Sequence, residues 1–166
     1  SGHLYDDTNG NGTQDPGEPD LADVDVIITD VNGDTQVVTT DANGDWTAEL
    51  PAGPAIVDVD ESDPDYPAGT TQTEGDDPTT VDVVSGADTD AGNDGYFLPG
   101  TVSGHLYLDT NGSAVEDPGG PDLAGGDATI PDSNGATQVV TTDANGDWSA
   151  EVPPGATTAD VDETDP

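Results

Sequence analysis

Oxygen-bearing side chains recur at alternate positions in one short segment near the start of the chain. The segment from Asp7 to Glu18, DTNGNGTQDPGE, matches the pattern D-x-[DN]-x-[DN]-G-x₅-E at every specified position. Carboxylate, amide and backbone oxygens at this spacing are the ligands that Ca²⁺ prefers, and the glycine at Gly12 permits the sharp turn between them. We therefore predict a calcium site formed by Asp7, Asn9, Asn11, Thr13, Asp15 and Glu18.

The surroundings of this loop differ from those of a helical calcium sensor. Pro16 and Gly17 prevent a helix from continuing through the loop, and the preceding residues have the alternation of a strand. We expect a calcium loop placed between β-strands. Asn11 and Asn111 also stand in N-x-[ST] sequons, so glycosylation is an alternative use of both side chains.

The chain contains an internal repeat with an offset of 102 residues. Residues 1–64 align with residues 103–166 without a gap, and 43 of these 64 positions are identical. A period of this length corresponds to a whole domain. We predict a first repeat at 1–100 and a second at 101–166 that lacks the equivalents of residues 65–102. Further copies in a longer chain, or strand donation by a neighbouring subunit, would supply the missing strands.

The second copy of the loop departs from the calcium pattern. Ser113, Ala114 and Gly120 replace the asparagine, glycine and glutamate of the first copy. Losing the glutamate removes a bidentate ligand, so we expect a weak or empty site. Its remaining candidate ligands are Asp109, Asn111, Ser113 and Asp117.

Several shorter acidic segments could also hold calcium or could simply be solvated. The segments 30–34 and 41–45 resemble half-loops, but Asp and Asn favour turns by themselves, and we interpret both as hairpin turns. Two further groups are possible accessory calcium sites near a domain junction. They comprise Asp58, Asp60, Glu61 and Asp63 in one group, and Asp88 and Asp90 in the other.

The charge of the chain is entirely of one sign. It has 37 Asp and Glu residues, no Lys or Arg, and a formal net charge of −37. Such self-repulsion must be offset by bound divalent cations or by concentrated salt, as in a halophilic protein, and both accounts stay open. Binding to nucleic acid or to an anionic membrane surface is disfavoured, and no segment has the roughly 20 apolar residues of a membrane span.

The same composition excludes covalent stabilisation within the chain. Cysteine is absent, so there are no disulfides, and without lysine there can be no lysine–asparagine isopeptide bond. His3 and His105 are equivalent residues of the two copies, with no further histidine or cysteine near them, and we expect both at a strand edge or on the surface.

Alternating apolar residues and regularly spaced turn signals predict an all-β fold. We expect Val24, Val26 and Ile28 to face one side of a strand and Asp25 and Ile27 the other. Seven short strands favour a β-sandwich. They are predicted at Gly2–Tyr5, Val24–Thr29, Thr35–Thr40, Asp45–Leu50, Ala55–Asp60, Thr79–Val84 and Gly95–Leu98.

Five sequence elements together resemble the B-type repeats of Ser-Asp-repeat bacterial surface adhesins. They are Gly2-x-Leu4-x-x-Asp7-x-Asn9-Gly-Asn11-Gly, Asp15-x-Gly-Glu18, Thr40-Asp-Ala-Asn-Gly-x-Trp46, Pro67-Ala-Gly and Asn93-Asp-Gly-Tyr96. The likeness covers residues 1–100 and continues through the second copy. It implies tandem immunoglobulin-like β-sandwich domains, stabilised by calcium, in an extracellular protein at the cell surface.

The function that follows is structural and non-enzymatic. We expect a stalk or filament whose partners are further copies of itself, arranged as tandem repeats or as a homopolymer. The alternative is a recognition module that binds a host or matrix ligand, which rests on the resemblance alone. Catalysis is disfavoured because a small core offers little shelter for a carboxyl with a raised pKa.

Overall fold

The computed structural model describes residues 1–163, and all the regular secondary structure in that range is β. The chain divides into two compact units, Ser1–Leu98 (unit 1) and Pro99–Pro166 (unit 2). Unit 1 contains β1 Gly2–Asp6, β2 Asp25–Thr29, β3 Thr35–Thr39, β4 Asp45–Trp46, β5 Gly53–Val59, β6 Thr71–Glu74, β7 Thr79–Val83 and β8 Asn93–Phe97. Unit 2 contains β9 Gly100–His105, β10 Asp127–Pro131, β11 Thr137–Thr141, β12 Asp147–Val152 and β13 Asp160–Val161.

Unit 1 is a sandwich of two four-stranded sheets. One sheet has the order β4-β1-β8-β6 and the other the order β3-β2-β5-β7. Neighbouring strands are antiparallel except β1 and β8, which run parallel from His3 opposite Asn93 to Asp6 opposite Tyr96. The prediction of an all-β, immunoglobulin-like sandwich is confirmed.

The core of unit 1 comes from the alternation seen in the sequence. Val24, Val26 and Ile28 are completely buried, whereas Asp25 and Ile27 on the opposite face are half-buried, as predicted. This inner face packs with Leu4 and Trp46 of the facing sheet. Successive side chains of a strand point to opposite faces, so one period-two pattern is sufficient to fill the space between the sheets.

Three details of the strand prediction are wrong. Thr71–Glu74 lies outside the predicted strands but forms an edge strand beside β8. The strand predicted at Asp45–Leu50 ends at Trp46, because Gly2 pairs with Trp46 and β1 extends no further in that direction. The Asn43-Gly44 turn closes no hairpin, since its flanking strands, β3 and β4, lie in opposite sheets.

Unit 2 repeats the first part of this architecture. Its sheets have the orders β11-β10-β13 and β12-β9, and up to residue 163 no strand corresponds to β6, β7 or β8. Here β12 pairs with β9 over six residues, because β9 begins at Gly100 and so reaches as far as Val152. The buried core consists of Ala128, Ile130, Ala150 and Val152. Within residues 1–163 there is no helix long and apolar enough to cross a membrane.

Candidate metal centre

Asp7 anchors the predicted calcium loop from inside unit 1. It directly follows β1, its side chain is completely buried, and its amide donates to the Tyr96 carbonyl of β8 at 2.8 Å. The carboxylate accepts backbone N–H groups from Gly10 and Asn11 on Oδ1 and from Gly12 on Oδ2, at 2.7–3.1 Å. Three backbone donors on one carboxylate fold the loop back over the end of β1.

A fourth donor to Asp7 comes from a distant strand. The Thr73 hydroxyl donates to Oδ2 of Asp7 at 2.7 Å and also lies 3.1 Å from the Gly95 carbonyl. Thr73 is the extra residue of a β-bulge, since Gln72 pairs with Tyr96 and Glu74 with Gly95. A bulge redirects the side chain at that position, and here it directs a hydroxyl at the loop.

The alternating polar residues form a ladder of Asx turns. The carboxamide oxygen of Asn9 accepts the amide of Asn11, and that of Asn11 accepts the amide of Thr13, both at 2.9 Å. The carboxamide nitrogens of Asn9 and Asn11 both donate to Oδ2 of Asp15, at 2.9 and 2.8 Å. The structure therefore brings Asn9, Asn11 and Asp15 into one hydrogen-bonded group beside Asp7.

Glu18 closes the loop and reaches that group through the backbone of Asp15. Its carboxylate accepts the Thr8 hydroxyl at 3.0 Å and the Asp15 amide at 2.9 Å. Thr13 takes part through its amide, and the use of its carbonyl as a ligand stays a prediction. All the predicted ligands thus lie in one continuous turn structure, rich in carboxylate and carboxamide oxygens of the kind that suits a hard divalent cation.

The equivalent loop of unit 2 keeps the backbone shape with fewer ligands. Asp109 accepts the amides of Gly112, Ser113 and Ala114 at 2.7–3.1 Å, and these bonds lower the pKa of its carboxyl. Asn111 donates to Asp117, as Asn9 does to Asp15. Gly120 carries no carboxylate, yet its amide donates to the Asp117 carbonyl as that of Glu18 does to Asp15. Asp109 is half-buried, because within residues 99–163 no strand supplies a counterpart of Thr73.

The shorter acidic segments form turns. Asp30 Oδ1 accepts the amides of Asn32 and Asp34, and Asp41 Oδ1 accepts those of Asn43 and Asp45, so both segments are turns. A hairpin is predicted for both segments, but only the first closes one. The predicted accessory ligands are also engaged in hydrogen bonds, three of them to residues two positions further along the chain and that of Asp88 to the distant Ser1. Asp60 accepts from Ser62, Asp63 from Asp65, Asp88 from Ser1, and Asp90 from Gly92. An accessory calcium site at these residues stays a prediction.

A second set of acids lies beside β6 and β8 of the same sheet. Asp94 of β8 is only 5% exposed, and burial together with the nearby Asp77 carboxylate raises its pKa to about 7. Gln72 donates to Asp94 at 3.0 Å. Asp77 accepts the Val59 amide and the Tyr96 hydroxyl, but burial still raises its pKa. These carboxyls are separate from the predicted calcium ligands.

Sequence reasoning missed the groups that connect the loop to the sheet. Thr73 lies 66 positions after Asp7, and nothing in the order of residues pairs the two. The same is true of the Tyr5 hydroxyl, which donates to Glu74 of β6 at 2.7 Å. The alternation of Thr71-Gln-Thr-Glu74 is the one available signal, since β-branched residues at alternate positions are typical of a strand.

The fold and the loop together define a class of protein: tandem immunoglobulin-like β-domains with an oxygen-rich loop after the first strand. Comparison with known proteins agrees. No protein-family model matches the chain. Over 157 residues it is 30% identical to serine-aspartate repeat-containing protein D of Staphylococcus aureus strain Newman, an alignment that covers 88% of this chain and 12% of that protein. The chain therefore spans about an eighth of the length of this relative.

Two solved structures are also similar to the chain. The Bacillus anthracis TIE protein aligns at 17% identity with a TM-score of 0.44, covering 97% of this chain and 27% of that one. The shaft pilin SpaA of Lactobacillus rhamnosus GG aligns at 14% identity with a TM-score of 0.36, covering 97% and 85% respectively. The sequence matches confirm the predicted resemblance to Ser-Asp-repeat surface proteins and, with it, a cell-surface location.

Proposed function

We propose that this chain is part of a non-enzymatic, cell-surface stalk or filament in which calcium bound at residues 7–18 stabilises a β-domain. The observation that carries the proposal is the buried Asp7 carboxylate. It connects the loop to β6 through Thr73, while the Asp7 backbone amide connects it to β8 through Tyr96. A cation on the loop would therefore stabilise one end of the sheet as well as the loop itself.

Composition supports the same role. Without Lys or Arg, no side chain can form a permanent ion pair with the 37 acids, so an external cation is the available partner for the loop. Asp7, Asp15 and Glu18 would supply carboxylate oxygens, and Asn9 and Asn11 would supply carboxamide oxygens. Binding to the folded state alone raises stability by about 2.7 kcal/mol at a free calcium concentration one hundred times the dissociation constant.

Thermal unfolding with and without a calcium chelator, at constant sodium chloride, tests the proposal. The melting temperature of unit 1 should fall on chelation and recover with millimolar Ca²⁺. Glu18→Gln should abolish most of this calcium dependence while the domain stays folded in concentrated salt. Glu49→Gln, at an exposed position with the same change in charge, is the matched control. Equal melting temperatures with and without chelator would refute calcium stabilisation.

The same measurement separates calcium from salt. If concentrated sodium chloride raises stability fully and Ca²⁺ adds nothing, diffuse screening of the surface carboxylates accounts for the charge. If low millimolar Ca²⁺ acts where an equal ionic strength of sodium chloride does not, the loop binds calcium specifically. Both effects together would indicate a calcium-binding protein that is also adapted to salt.

Strand donation is a second proposal, favoured by the edges of unit 2. In unit 1, β8 pairs with β1 from His3 to Asp6, but no strand among residues 99–163 occupies the equivalent edge at His105 to Leu108. We propose that a strand equivalent to β8 completes this sheet, either from later residues of a longer chain or from a second copy. Sedimentation over a range of concentrations tests donation between copies. A monomer at all concentrations would argue against it.

The recognition alternative has one observation of its own. Unit 1 has an open cleft of about 490 Å³ between its sheets, beyond the end of the short β4. Trp46, Leu50, Val57 and Val83 supply apolar surface to it. Binding of immobilised extracellular-matrix proteins to the wild type, but not to a Val83→Asp variant, would favour an adhesive role over a passive spacer.

A further inference from the structure

We propose that unit 2 contains a transition-metal site formed by Nε2 of His105 and the carboxylates of Glu116 and Asp122. One oxygen of each carboxylate and the imidazole nitrogen all lie within 4.8 Å of one another. Nε2 is 3.8 Å from Oε2 of Glu116 and 3.5 Å from Oδ1 of Asp122. Glu116 belongs to the loop segment of unit 2, but none of the three residues is among the predicted calcium ligands. The ligand set also includes nitrogen, which calcium does not favour.

The distances fit metal ligands better than hydrogen bonds. Separations of 3.5 and 3.8 Å exceed the roughly 2.7–3.2 Å of an N–H···O bond. Two ligand atoms at about 2.0–2.2 Å from a tetrahedral Zn²⁺ ion are about 3.3–3.6 Å apart. The separations between Nε2 and the two carboxylate oxygens are therefore close to those between ligands of one Zn²⁺ ion, and the exposed Glu116 side chain has room to adjust.

The histidine ring is held with Nε2 turned towards the two carboxylates. Nδ1 lies 2.9 Å from Oδ1 of Asp147, and a proton shared there leaves the lone pair of Nε2 for a metal. The Nε2 atom is buried and has no hydrogen-bond partner. The ring stacks on Tyr107, with centroids 6.1 Å apart, and thus lies between fixed neighbours.

The backbone around the site is fixed as well. Asp122 forms an isolated bridge with Tyr107, and the amide of Leu123 donates to the Leu106 carbonyl at 2.9 Å. Gly146 has a φ of 78°, and a β-carbon there would clash with the Leu106 carbonyl oxygen and lie 3.2 Å from both the ring of His105 and the side chain of Asp122. A glycine is therefore required where the turn passes the site.

Unit 1 contains a natural counterpart with one ligand removed. Nε2 of His3 lies 3.4 Å from Oδ1 of Asp20, and its Nδ1 lies 2.9 Å from Asp45, as in unit 2. The position of Glu116 is occupied by Gln14, whose amide donates to Asp20 Oδ1 at 2.8 Å. The amide provides no anionic ligand and occupies the oxygen that would bind the metal, so the structure assigns the site to unit 2 alone.

Titration of the full chain with Zn²⁺ in excess Ca²⁺ tests this assignment, with the ¹⁵N resonances of the two histidine rings as the site-specific readout. The wild type should bind one Zn²⁺ with a shift at Nε2 of His105 and none at His3. Glu116→Gln should remove the site, and Gln14→Glu should add a second one, with a shift at His3. Asp147→Asn should weaken binding about 10- to 100-fold, because it removes the carboxylate that orients the ring.

Two outcomes would overturn the proposal. If Zn²⁺ leaves the His105 resonances unchanged, the cluster is an imidazolium surrounded by acids and binds only a proton. If Glu116→Gln binds Zn²⁺ as the wild type does, the uptake belongs to other surface carboxylates. Both glutamate–glutamine substitutions are at exposed or half-buried side chains, and melting curves of the variants verify that each remains folded.

Discussion

Replacing Asp94 with asparagine should make unit 1 more stable at neutral pH and remove part of its pH dependence. The carboxyl is 5% exposed, and its pKa is raised from 3.8 to about 7. The folded state therefore binds this proton more tightly than the unfolded state does. Asp94 contributes fully to stability below about pH 4, and that contribution is lost as the pH rises towards 7.

The size of the effect follows from the displacement of the pKa. Each unit of pKa corresponds to 1.36 kcal/mol, so the whole range between the two values is on the order of 2–4 kcal/mol. The carboxamide of the Asp94→Asn variant keeps an acceptor for Gln72, which donates to Asp94 at 3.0 Å, and carries no charge towards Asp77 or Glu74. The free energy of unfolding of the variant should therefore rise relative to that of the wild type by this amount as the pH goes from 4 to 8.

Urea unfolding from pH 4 to pH 8, at fixed calcium and salt, measures the effect. Trp46 reports on unit 1 when Trp148 is replaced by phenylalanine, because these are the two tryptophans of the chain. Asp82→Asn removes the same charge from an exposed position of β7 and should leave the shape of the pH profile unchanged. Parallel profiles for the wild type and Asp94→Asn would show that Asp94 is not the buried acid described above.

Two further predictions concern the loops. Ala114→Gly should stabilise unit 2 by about 0.5–1 kcal/mol in thermal unfolding, because Ala114 has a φ of 59° where unit 1 has Gly12 at 74°. An unchanged melting temperature would mean that the turn adopts a different backbone conformation in solution. Thr73→Val should destabilise unit 1 by about 1.5–3 kcal/mol and weaken calcium binding, because a buried carboxylate loses a donor. Thr71→Val, at an exposed position of the same strand, is its control, and equal losses from both variants would assign the effect to the strand.

Local patterns in the sequence are sufficient for much of the fold. Val24, Val26 and Ile28 predict a buried face by alternation alone, and the turn at Asn32-Gly33 determines the β2–β3 hairpin. The loop at residues 7–18 is also predictable, since each Asx turn joins residues two positions apart. Such features depend on neighbouring residues, so a single sequence is enough to find them.

Features that depend on distant partners are not predictable in this way. Asn43-Gly44 has the same dipeptide as Asn32-Gly33, but the chain crosses to the other sheet after it, and this difference arises from packing rather than from the turn. The bulge that directs Thr73 at Asp7 depends on the register of β6 against β8. A raised pKa at Asp94 likewise depends on burial, which an Asn-Asp-Gly segment would not suggest.

The two copies of the loop differ in a way that connects both metal proposals. Each copy has one glutamate in this segment, Glu18 in unit 1 and Glu116 in unit 2, and their positions differ by four in the alignment. Glu18 accepts the amide of Asp15, within the loop that contains the predicted oxygen ligands of calcium. Glu116 instead lies 3.8 Å from Nε2 of His105. The double substitution Glu116→Gln and Gly120→Glu gives unit 2 the residues that unit 1 has at the equivalent positions, Gln14 and Glu18. It should therefore change the preference of unit 2 from Zn²⁺ to Ca²⁺. A unit 2 that still selected Zn²⁺ over Ca²⁺ after this double substitution would show that the glutamate position does not determine the metal.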